Sequence, residues 1–183
     1  MNLFIDTHLD NIVIILFKDN KIIKEKSIIG EKQNSKLIMP TIKEVLDGTK
    51  PESIVVCNGP GSFTGVRLGI TIAKTLAFTL EIPIRTITTL KCMALSLKDA
   101  DMKIVAFDDK NGYYIGIFDR NINLIGSYEY LTKKEFKKFC EKYDVCTELN
   151  MDYEKIFKYV MAKKAKNPHK VNPVYIKKLD VEK

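Results

Sequence analysis

Residues 58–69 read NGPGSFTGVRLG, and four of the nine glycines in the chain fall within them. The run before them, Ser53–Cys57, has the β-branched content of a buried strand. The run after them, residues 70–80, has the length and the apolar period of a helix. We therefore expect the glycines in a turn from strand to helix, where they allow a close approach of the backbone, with Ser62 as the N-cap of the helix.

The spacing of these glycines does not match the common phosphate-binding motifs. A Walker A loop needs four residues between a glycine and a following Gly-Lys pair, whereas here three residues separate Gly61 from Gly65 and Val66 follows in place of lysine. A dinucleotide fingerprint, Gly-x-Gly-x-x-Gly, that begins at Gly59 would need its third glycine at position 64, whereas that glycine is Gly65. Helix N-termini attract anions, so phosphate binding stays an alternative, but the spacing does not favour a nucleotide.

The helix after the turn is almost uncharged, since Arg67 and Lys74 are the only charged residues from Gly59 to Leu80. Such a helix is buried on most sides, so we expect one face on its own sheet and another against a second subunit. Small residues recur every four positions and permit close helix packing. These small residues are Gly65, Gly69, Ala73 and Ala77. An ordinary core helix would give the same pattern, and the residues alone leave both alternatives open.

The glycine stretch closely resembles the signature of the TsaB family, also called YeaZ, whose members are non-catalytic relatives of TsaD. Weaker similarity extends along the chain. LFIDT at residues 3–7 resembles the family's first strand, and residues 35–42 resemble its first helix. Residues 108–114 are similar to the turn that opens the second half, and residues 172–176 to the C-terminal segment. The resemblance therefore touches the whole chain, and its glycine stretch is the most specific part.

The resemblance implies an α/β protein with the duplicated actin/Hsp70/sugar-kinase (ASKHA) fold in two lobes, the second one reduced. We expect an N-terminal α/β lobe over residues 1–98 and a smaller C-terminal α/β lobe over residues 99–183. The residue patterns agree with two halves of strands followed by helices. The expected strands cover residues 3–5, 12–17, 22–29, 54–57, 83–87, 103–107, 113–118 and 124–130, and the expected helices cover residues 33–46, 70–80, 90–97, 133–143 and 152–164.

By resemblance, the chain is a non-catalytic scaffold subunit in the formation of threonylcarbamoyladenosine (t6A) on tRNA. It is expected to bind a TsaD-like paralogue that carries the metal ion and performs the transfer, and a TsaE-like ATPase joins the assembly. ATP and the metal ion are thus expected in partner subunits, and no cofactor is expected in this chain. The tRNA is reached through the complex. Without a partner, the same surface is expected to form a two-fold homodimer.

The interface with the paralogue is expected on the glycine turn, on the helix after it and on the helix of residues 33–46. The expected interface residues are Gly59, Pro60, Gly61, Ser62, Phe63, Thr64, Gly65, Arg67, Leu68, Gly69, Ile72, Ala73 and Leu76. A bulky residue in place of Gly69 is expected to abolish docking while the monomer stays folded.

Few residues are arranged for catalysis. ATP-hydrolysing members of the ASKHA superfamily carry a carboxylate and a glycine-rich turn between their first two strands, whereas here the turn has Asp6 and Thr7 but no glycine. These two residues, with Asp108 and Asp109 of the second-half turn, are the candidate contacts for a nucleotide or a cation, although a hairpin turn is the commoner interpretation of the aspartates. The sequence has neither a Gly-x-Ser-x-Gly elbow nor the His-x-x-x-His pair of the catalytic paralogue. We therefore expect no catalytic residue and no enzymatic activity of the chain by itself.

Composition indicates a globular protein of the cytoplasm. Hydrophobic residues make up 45% and charged residues 29% of the chain, and no apolar run approaches the length of a membrane span. The cysteines are scattered without a C-x-x-C pair, and the chain has only two histidines. We therefore expect reduced thiols and no metal site. These residues are Cys57, Cys92, Cys140, Cys146, His8 and His169.

The net charge of +7 lies mostly in the C-terminal part of the chain, where lysines cluster. Aromatic residues alternate with these lysines at helical spacing, which favours amphipathic helices with solvated lysine faces and leaves RNA contact as a supplementary role. The clusters are Lys133, Lys134, Lys137 and Lys138, and Lys163, Lys164, Lys166 and Lys170. Two other classes of function stay open, an ATP-dependent small-molecule kinase of the same fold and a basic RNA-binding module.

Overall fold

The computed structural model describes residues 1–9, 11–29 and 34–177 and folds them into two sheets with helices around them. The strands are β1 (Asn2–Asp6), β2 (Ile12–Lys18), β3 (Lys21–Ile28), β4 (Ser53–Cys57), β5 (Ile84–Ile87), β6 (Met102–Asp109), β7 (Gly112–Asp119) and β8 (Glu129–Thr132). The helices are α1 (Asn34–Leu46), α2 (Phe63–Thr79), α3 (Thr89–Ser96), α4 (Lys133–Cys140) and α5 (Tyr153–Met161), with a short 3-10 helix at Pro168–Lys170.

The first sheet has the order β3-β2-β1-β4-β5 and the second the order β6-β7-β8. In the first sheet β1 is antiparallel to β2 and parallel to β4, and β4 is parallel to β5. The central strands β1 and β4 are buried and mostly apolar, because helices or the second sheet cover both of their faces. Ile5 is paired with Val56, so the C-terminal ends of β1 and β4 lie side by side.

Two hydrophobic cores cover the two faces of the first sheet. One lies under α1 and α2 and includes Ile38 and Ile70. The other joins the first sheet to α3, α5 and the second sheet, and within it the ring of Phe17 stacks on that of Phe157 with centroids 4.0 Å apart. Residues from both halves of the chain therefore share one core, and the expected boundary between residues 98 and 99 stays a prediction.

Helix α2 begins at Phe63, as the expected N-cap at Ser62 requires, and therefore starts before the apolar run of residues 70–80. The side chain of Ser62 accepts a hydrogen bond from the backbone nitrogen of Gly65, which confirms Ser62 as the N-cap. Two glycines in the first turns disfavour a helix, and their tertiary contacts, described below, outweigh this preference. None of the described helices is long and apolar enough to span a bilayer.

The largest difference from the expected elements lies between β7 and β8. Residues 124–128 do not continue a strand, and Leu124 makes only an isolated bridge to Phe118. Ile122 and Gly126 both have positive φ, which turns the chain away from extended structure. Helices α4 and α5 end earlier than expected, at Cys140 and Met161. The expected first residue of α1, Gln33, lies outside the described residues.

Candidate functional site

The glycine turn passes so close to the turn after β1 that side chains do not fit. A Cβ atom on Gly61 would lie 2.2 Å from the carbonyl oxygen of His8, and one on Gly65 would lie 2.2 Å from that of Thr7. The backbone nitrogen of Ser62 donates to the same His8 oxygen at 2.7 Å. Gly61 and Gly65 are therefore required for contact with the chain's own β1–β2 turn.

The inner face of α2, formed by Gly65, Gly69, Ala73 and Ala77, continues this contact. A Cβ atom on Gly69 would lie 2.2 Å from the hydroxyl oxygen of Thr7, which itself donates to the carbonyl oxygen of Gly65 at 2.8 Å. Gly69, Ala73 and Ala77 are buried inside the chain. This corrects the expectation that small residues form a ridge for a partner helix, because Thr7, in the turn after β1, occupies the space beside Gly65 and Gly69, and Ala73 and Ala77 are buried in the core.

Gly59 and Pro60 are also buried, against the start of α3. The Thr89 backbone nitrogen donates to the Gly59 carbonyl oxygen at 3.0 Å. The Thr89 hydroxyl donates to the Pro60 carbonyl oxygen at 2.5 Å. Gly61 and Ser62 are half-buried. These four residues shape the turn, and little of their surface is free for a partner.

The outer face of α2 is the exposed part of the expected interface. Its stripe consists of the half-buried Leu68, Ile72 and Leu76, with Phe63 53% exposed at one end and Phe78 63% exposed at the other. The polar residues beside it are the exposed Thr64, Arg67, Thr71 and Thr75. Helix α1 adds the half-buried Leu37 and the exposed Met39 and Pro40. That these residues contact a partner stays a prediction.

Residues 172–177, called the C-terminal segment below, run over the glycine turn. The backbone nitrogen of Val174 donates to the carbonyl oxygen of Asn58 at 2.9 Å. The Arg67 Nε atom donates to the Tyr175 hydroxyl at 2.8 Å, and the Arg67 guanidinium carbon lies 3.5 Å from the centroid of the Phe63 ring. Arg67 is the fifth residue of α2 and lies in its second turn, where the helix dipole acts only weakly on a cation, and these contacts fix its guanidinium beside Phe63.

A cleft of about 770 Å³ opens between the glycine turn, the β6–β7 turn and the C-terminal segment. Of the expected cation or nucleotide contacts, Asp108 and Asp109 line it. Asp109 accepts from the Tyr130 hydroxyl at 3.0 Å and pairs with Lys177 at 3.7 Å. Burial and the hydrogen bond to Asp109 raise the pKa of Tyr130 to about 12. Asp109 is therefore already partnered, and Asp108 is the exposed carboxylate of the cleft.

The other two expected contacts, Asp6 and Thr7, are buried and have internal partners. The Asp6 carboxylate pairs with the Nδ1 atom of His8, and its other oxygen accepts from the Tyr153 hydroxyl at 3.2 Å. Burial alone would raise the pKa of Asp6, but the charge and hydrogen bonds of His8 outweigh it and lower that pKa. Burial would lower the pKa of His8, and the Asp6 charge raises it well above its usual value. The structure therefore does not place the four candidate residues around one site. Asp108 and Asp109 line the cleft, whereas Asp6 and Thr7 are buried behind it.

Cys57 joins this pair, and sequence reasoning missed the group. Suitable ligand atoms of Asp6, His8 and Cys57 lie within 4.8 Å of one another, and all three residues are buried. A hydrogen bond with the Cys92 thiol, together with the charge of His8, lowers the pKa of Cys57 to about 6 against the effect of burial. The signal that would have found the group is the parallel pairing of β1 with β4, which places their last residues side by side.

The lysine clusters lie on solvated faces. The four lysines of α4 are exposed, while Phe136 and Phe139 pack on the second sheet, where Phe136 stacks on Tyr113 at 3.8 Å. Lys163, Lys164, Lys166 and Lys170 are exposed as well. The Lys163 ammonium lies 4.4 Å from the centroid of the Tyr159 ring. This confirms an amphipathic α4 and leaves positive charge available to a phosphate ligand.

The strand order of the first sheet, the second sheet beside it and the cleft between them define an α/β protein of the actin-like ASKHA class. A solved structure named YeaZ, from Pseudomonas aeruginosa, is similar to the chain with a TM-score of 0.76. The two share 18% sequence identity, and the match covers 95% of this chain and 98% of that structure. This likeness confirms the fold class.

The sequence comparisons define the family. The family model of TsaD, described as tRNA N6-adenosine threonylcarbamoyltransferase, matches residues 25–172. The chain is 34% identical to the tRNA threonylcarbamoyladenosine biosynthesis protein TsaB of Bacillus subtilis over 73% of its own length and 66% of the relative's. It is 32% identical to TsaB of Buchnera aphidicola over 76% of its own length and 67% of the length of that relative. The chain thus spans about two thirds of the length of these curated relatives, and it belongs to the TsaB/YeaZ family.

Proposed function

We propose that the chain is a non-catalytic scaffold subunit in threonylcarbamoyladenosine formation on tRNA, and that it docks a TsaD-like threonylcarbamoyltransferase. The pathway is supported by the names of its curated relatives, both tRNA threonylcarbamoyladenosine biosynthesis proteins. The observation that carries the scaffold role is the apolar stripe on the outer face of α2.

The stripe suits a protein partner because the charged side chains of α2 bind other parts of the chain and leave the stripe uncharged. Arg67 donates to Tyr175, and Lys74 donates to the carbonyl oxygen of His169 at 3.5 Å, so both charged groups of α2 bind the chain's own C-terminal part. What remains at the centre is Leu68, Ile72 and Leu76. Apolar residues with few charges are typical of the centre of a protein interface. In the absence of the paralogue, the same stripe would associate with a second copy of the chain.

The internal bonds of Asp6 and Thr7 support a non-catalytic role. The Asp6 carboxylate is bound to His8 and Tyr153, and the Thr7 hydroxyl is bound to Gly65. Neither group is free to orient a nucleotide phosphate. We infer that ATP turnover belongs to a TsaE-like ATPase and the transfer reaction, with its metal ion, to the TsaD-like subunit. An ATP-dependent kinase is the alternative, and ATP turnover by the isolated chain would favour it.

The exposed lysine clusters support a supplementary contact with tRNA phosphates inside the assembly. Phosphate contacts of lysine depend strongly on salt, because each one releases counterions. We propose that the chain reaches tRNA mainly through its partners. Strong, salt-sensitive binding of tRNA by the chain alone would instead favour an independent RNA-binding module.

The test is size-exclusion chromatography with light scattering, on the chain alone and mixed with the TsaD-like protein of the same organism. We expect a homodimer that converts into a stoichiometric heterodimer. That result would justify reconstitution of tRNA modification with and without the chain. A chain whose elution and mass are unchanged by the TsaD-like protein would contradict the scaffold role.

A further inference from the structure

Arg67 lies beside the apolar stripe of α2, at the end that Phe63 marks. Its guanidinium carbon is 3.5 Å from the centroid of the Phe63 ring and 5.5 Å from the centroid of the Tyr175 ring. Its Nε atom donates to the Tyr175 hydroxyl at 2.8 Å. The chain itself therefore fixes one nitrogen and one face of the guanidinium, although the residue is exposed.

The rest of the guanidinium has no counterpart in the part of the chain that the structure describes. The two terminal nitrogens of Arg67 make no hydrogen bond to residues 1–9, 11–29 or 34–177, and none of the ion pairs among those residues includes Arg67. The terminal N–H groups of an arginine form a planar fork that matches the two oxygens of a carboxylate. The described residues thus hold this fork in place and supply no negative group for it.

We propose that Arg67 binds a carboxylate side chain of the TsaD-like protein, an inference that rests on the docking role proposed above. Arginine and tyrosine are enriched among the residues that contribute most to binding at protein interfaces. A flexible arginine loses rotamer freedom when it binds, and contacts that already fix it reduce this cost. Phe63 and Tyr175 are therefore positioning residues, and Arg67 makes the contact with the partner.

The neighbours of Arg67 favour a protein carboxylate over a phosphate of tRNA. The positions about one helical turn away carry no charge; they are Phe63, Thr64, Ile70 and Thr71. Contact with a phosphate backbone uses several cations close together, such as the lysines of α4. A single arginine beside apolar and aromatic surface is instead typical of a protein interface.

The test is isothermal titration calorimetry of the full chain with the TsaD-like protein of the same organism, at low and at high salt. We expect Arg67→Gln to weaken binding about 10-fold, because a charged hydrogen-bonded pair is lost, and to make Kd less dependent on salt. Arg67→Lys keeps the charge but loses the fork, and we expect it to weaken binding about 3-fold. Lys74→Gln, which removes the other charge of α2, is the matched control and should bind as the wild type does.

Tyr175→Phe tests the positioning role, because it keeps the ring and removes the hydroxyl that accepts from Arg67. We expect it to weaken binding about 3-fold in the wild-type chain and to have no further effect in Arg67→Gln, since Tyr175 acts through Arg67. A further loss in the Arg67→Gln background would refute the positioning role.

The outcomes separate this inference from the docking role on which it rests. Equal affinity of Arg67→Gln and the wild-type chain, or an equal loss in Lys74→Gln, would overturn the inference and leave the docking role standing. Unchanged binding of the TsaD-like protein by Arg67→Gln, with weaker binding of tRNA to the assembled complex, would assign Arg67 to a phosphate and overturn it as well. A wild-type chain that does not bind the TsaD-like protein would overturn the docking role and this inference with it.

Discussion

The inner and outer faces of α2 carry different kinds of apolar residue. On the inner face Gly65 and Gly69 bring the helix against Thr7, at distances that exclude any side chain. On the outer face Leu68 and Ile72 are large and only half-buried. The glycines of this helix therefore mark its closest approach to the rest of the chain, and the half-buried Leu68 and Ile72 mark where it has apolar surface for a partner. The inner face should control folding and the outer face should control binding.

The largest effect is expected at Gly65 on the inner face. In Gly65→Ala the new methyl group would meet the Thr7 carbonyl oxygen, a backbone atom that cannot rotate away. Overpacking of this kind costs about 3 kcal/mol, which exceeds the gain of about 1 kcal/mol from the helix propensity of alanine. Urea unfolding of the isolated chain measures the loss.

The control for Gly65→Ala is Thr64→Ala, an exposed neighbour in the same turn of α2. We expect it to unfold at nearly the wild-type urea concentration. Equal stability of the two variants would show that the inner face is not tightly packed. Gly69→Leu is also expected to destabilise the monomer, so it is unsuitable as a test of docking.

The next effect is expected at Thr71 on the outer face. Thr71 is exposed and lies one helical turn from Leu68 and Thr75. In Thr71→Asp an unpaired charge would be buried in the interface, and we expect binding of the TsaD-like protein to weaken by about 2 kcal/mol, or roughly 30-fold in Kd. Unfolding of the isolated variant should be unchanged, because threonine and aspartate have similar helix propensities.

Ser127→Asp is the control for Thr71→Asp, since it adds the same charge at an exposed position before β8. Isothermal titration calorimetry compares the two variants with the wild-type chain. An equal loss of affinity in both would indicate a general effect of charge. Unchanged affinity in Thr71→Asp would remove the outer face from the interface.

The smallest effect is expected where the C-terminal segment holds Arg67. Tyr175→Phe keeps the ring and removes the hydroxyl that accepts from Arg67. Because the pair is exposed, we expect the free energy of unfolding to fall by only about 0.5 kcal/mol. Tyr143→Phe, on an exposed tyrosine of the second half, is the reference in the same urea experiment. A loss of several times this size would mean that the segment is part of the folding core.

Local signals were enough to predict the centre of the fold. Three signals each depend on a few neighbouring residues. They are the β-branched run of β4, the glycine turn and the N-cap Ser62, and the structure confirms all three. The apolar period marked only residues 70–80 as helical, because glycines disfavour helices, and only the contact with Thr7 explains why Gly65 and Gly69 lie inside α2. Of the expected strand over residues 124–130, only residues 129 and 130 lie in β8, because a turn at Gly126, where φ is positive, interrupts its first part.

The candidate site was harder to predict than the fold. Asp108 and Asp109 line the cleft as their turn suggested, but Asp6 turns away from it to His8. The meeting of Asp6 with Cys57 depends on the register of β1 against β4, which no local pattern encodes. The contact of Arg67 with Tyr175 depends likewise on the path of the C-terminal segment.

Amide hydrogen exchange gives the most direct test of the claim that α2 folds on one face and binds on the other. The chain is measured alone and in complex with the TsaD-like protein, and the peptides of α1, α2 and α4 are compared. We predict slower exchange in α1 and α2 on binding and unchanged exchange in α4, whose lysine face points to solvent. Protection confined to α4 and the second sheet, with α2 unchanged, would contradict the account.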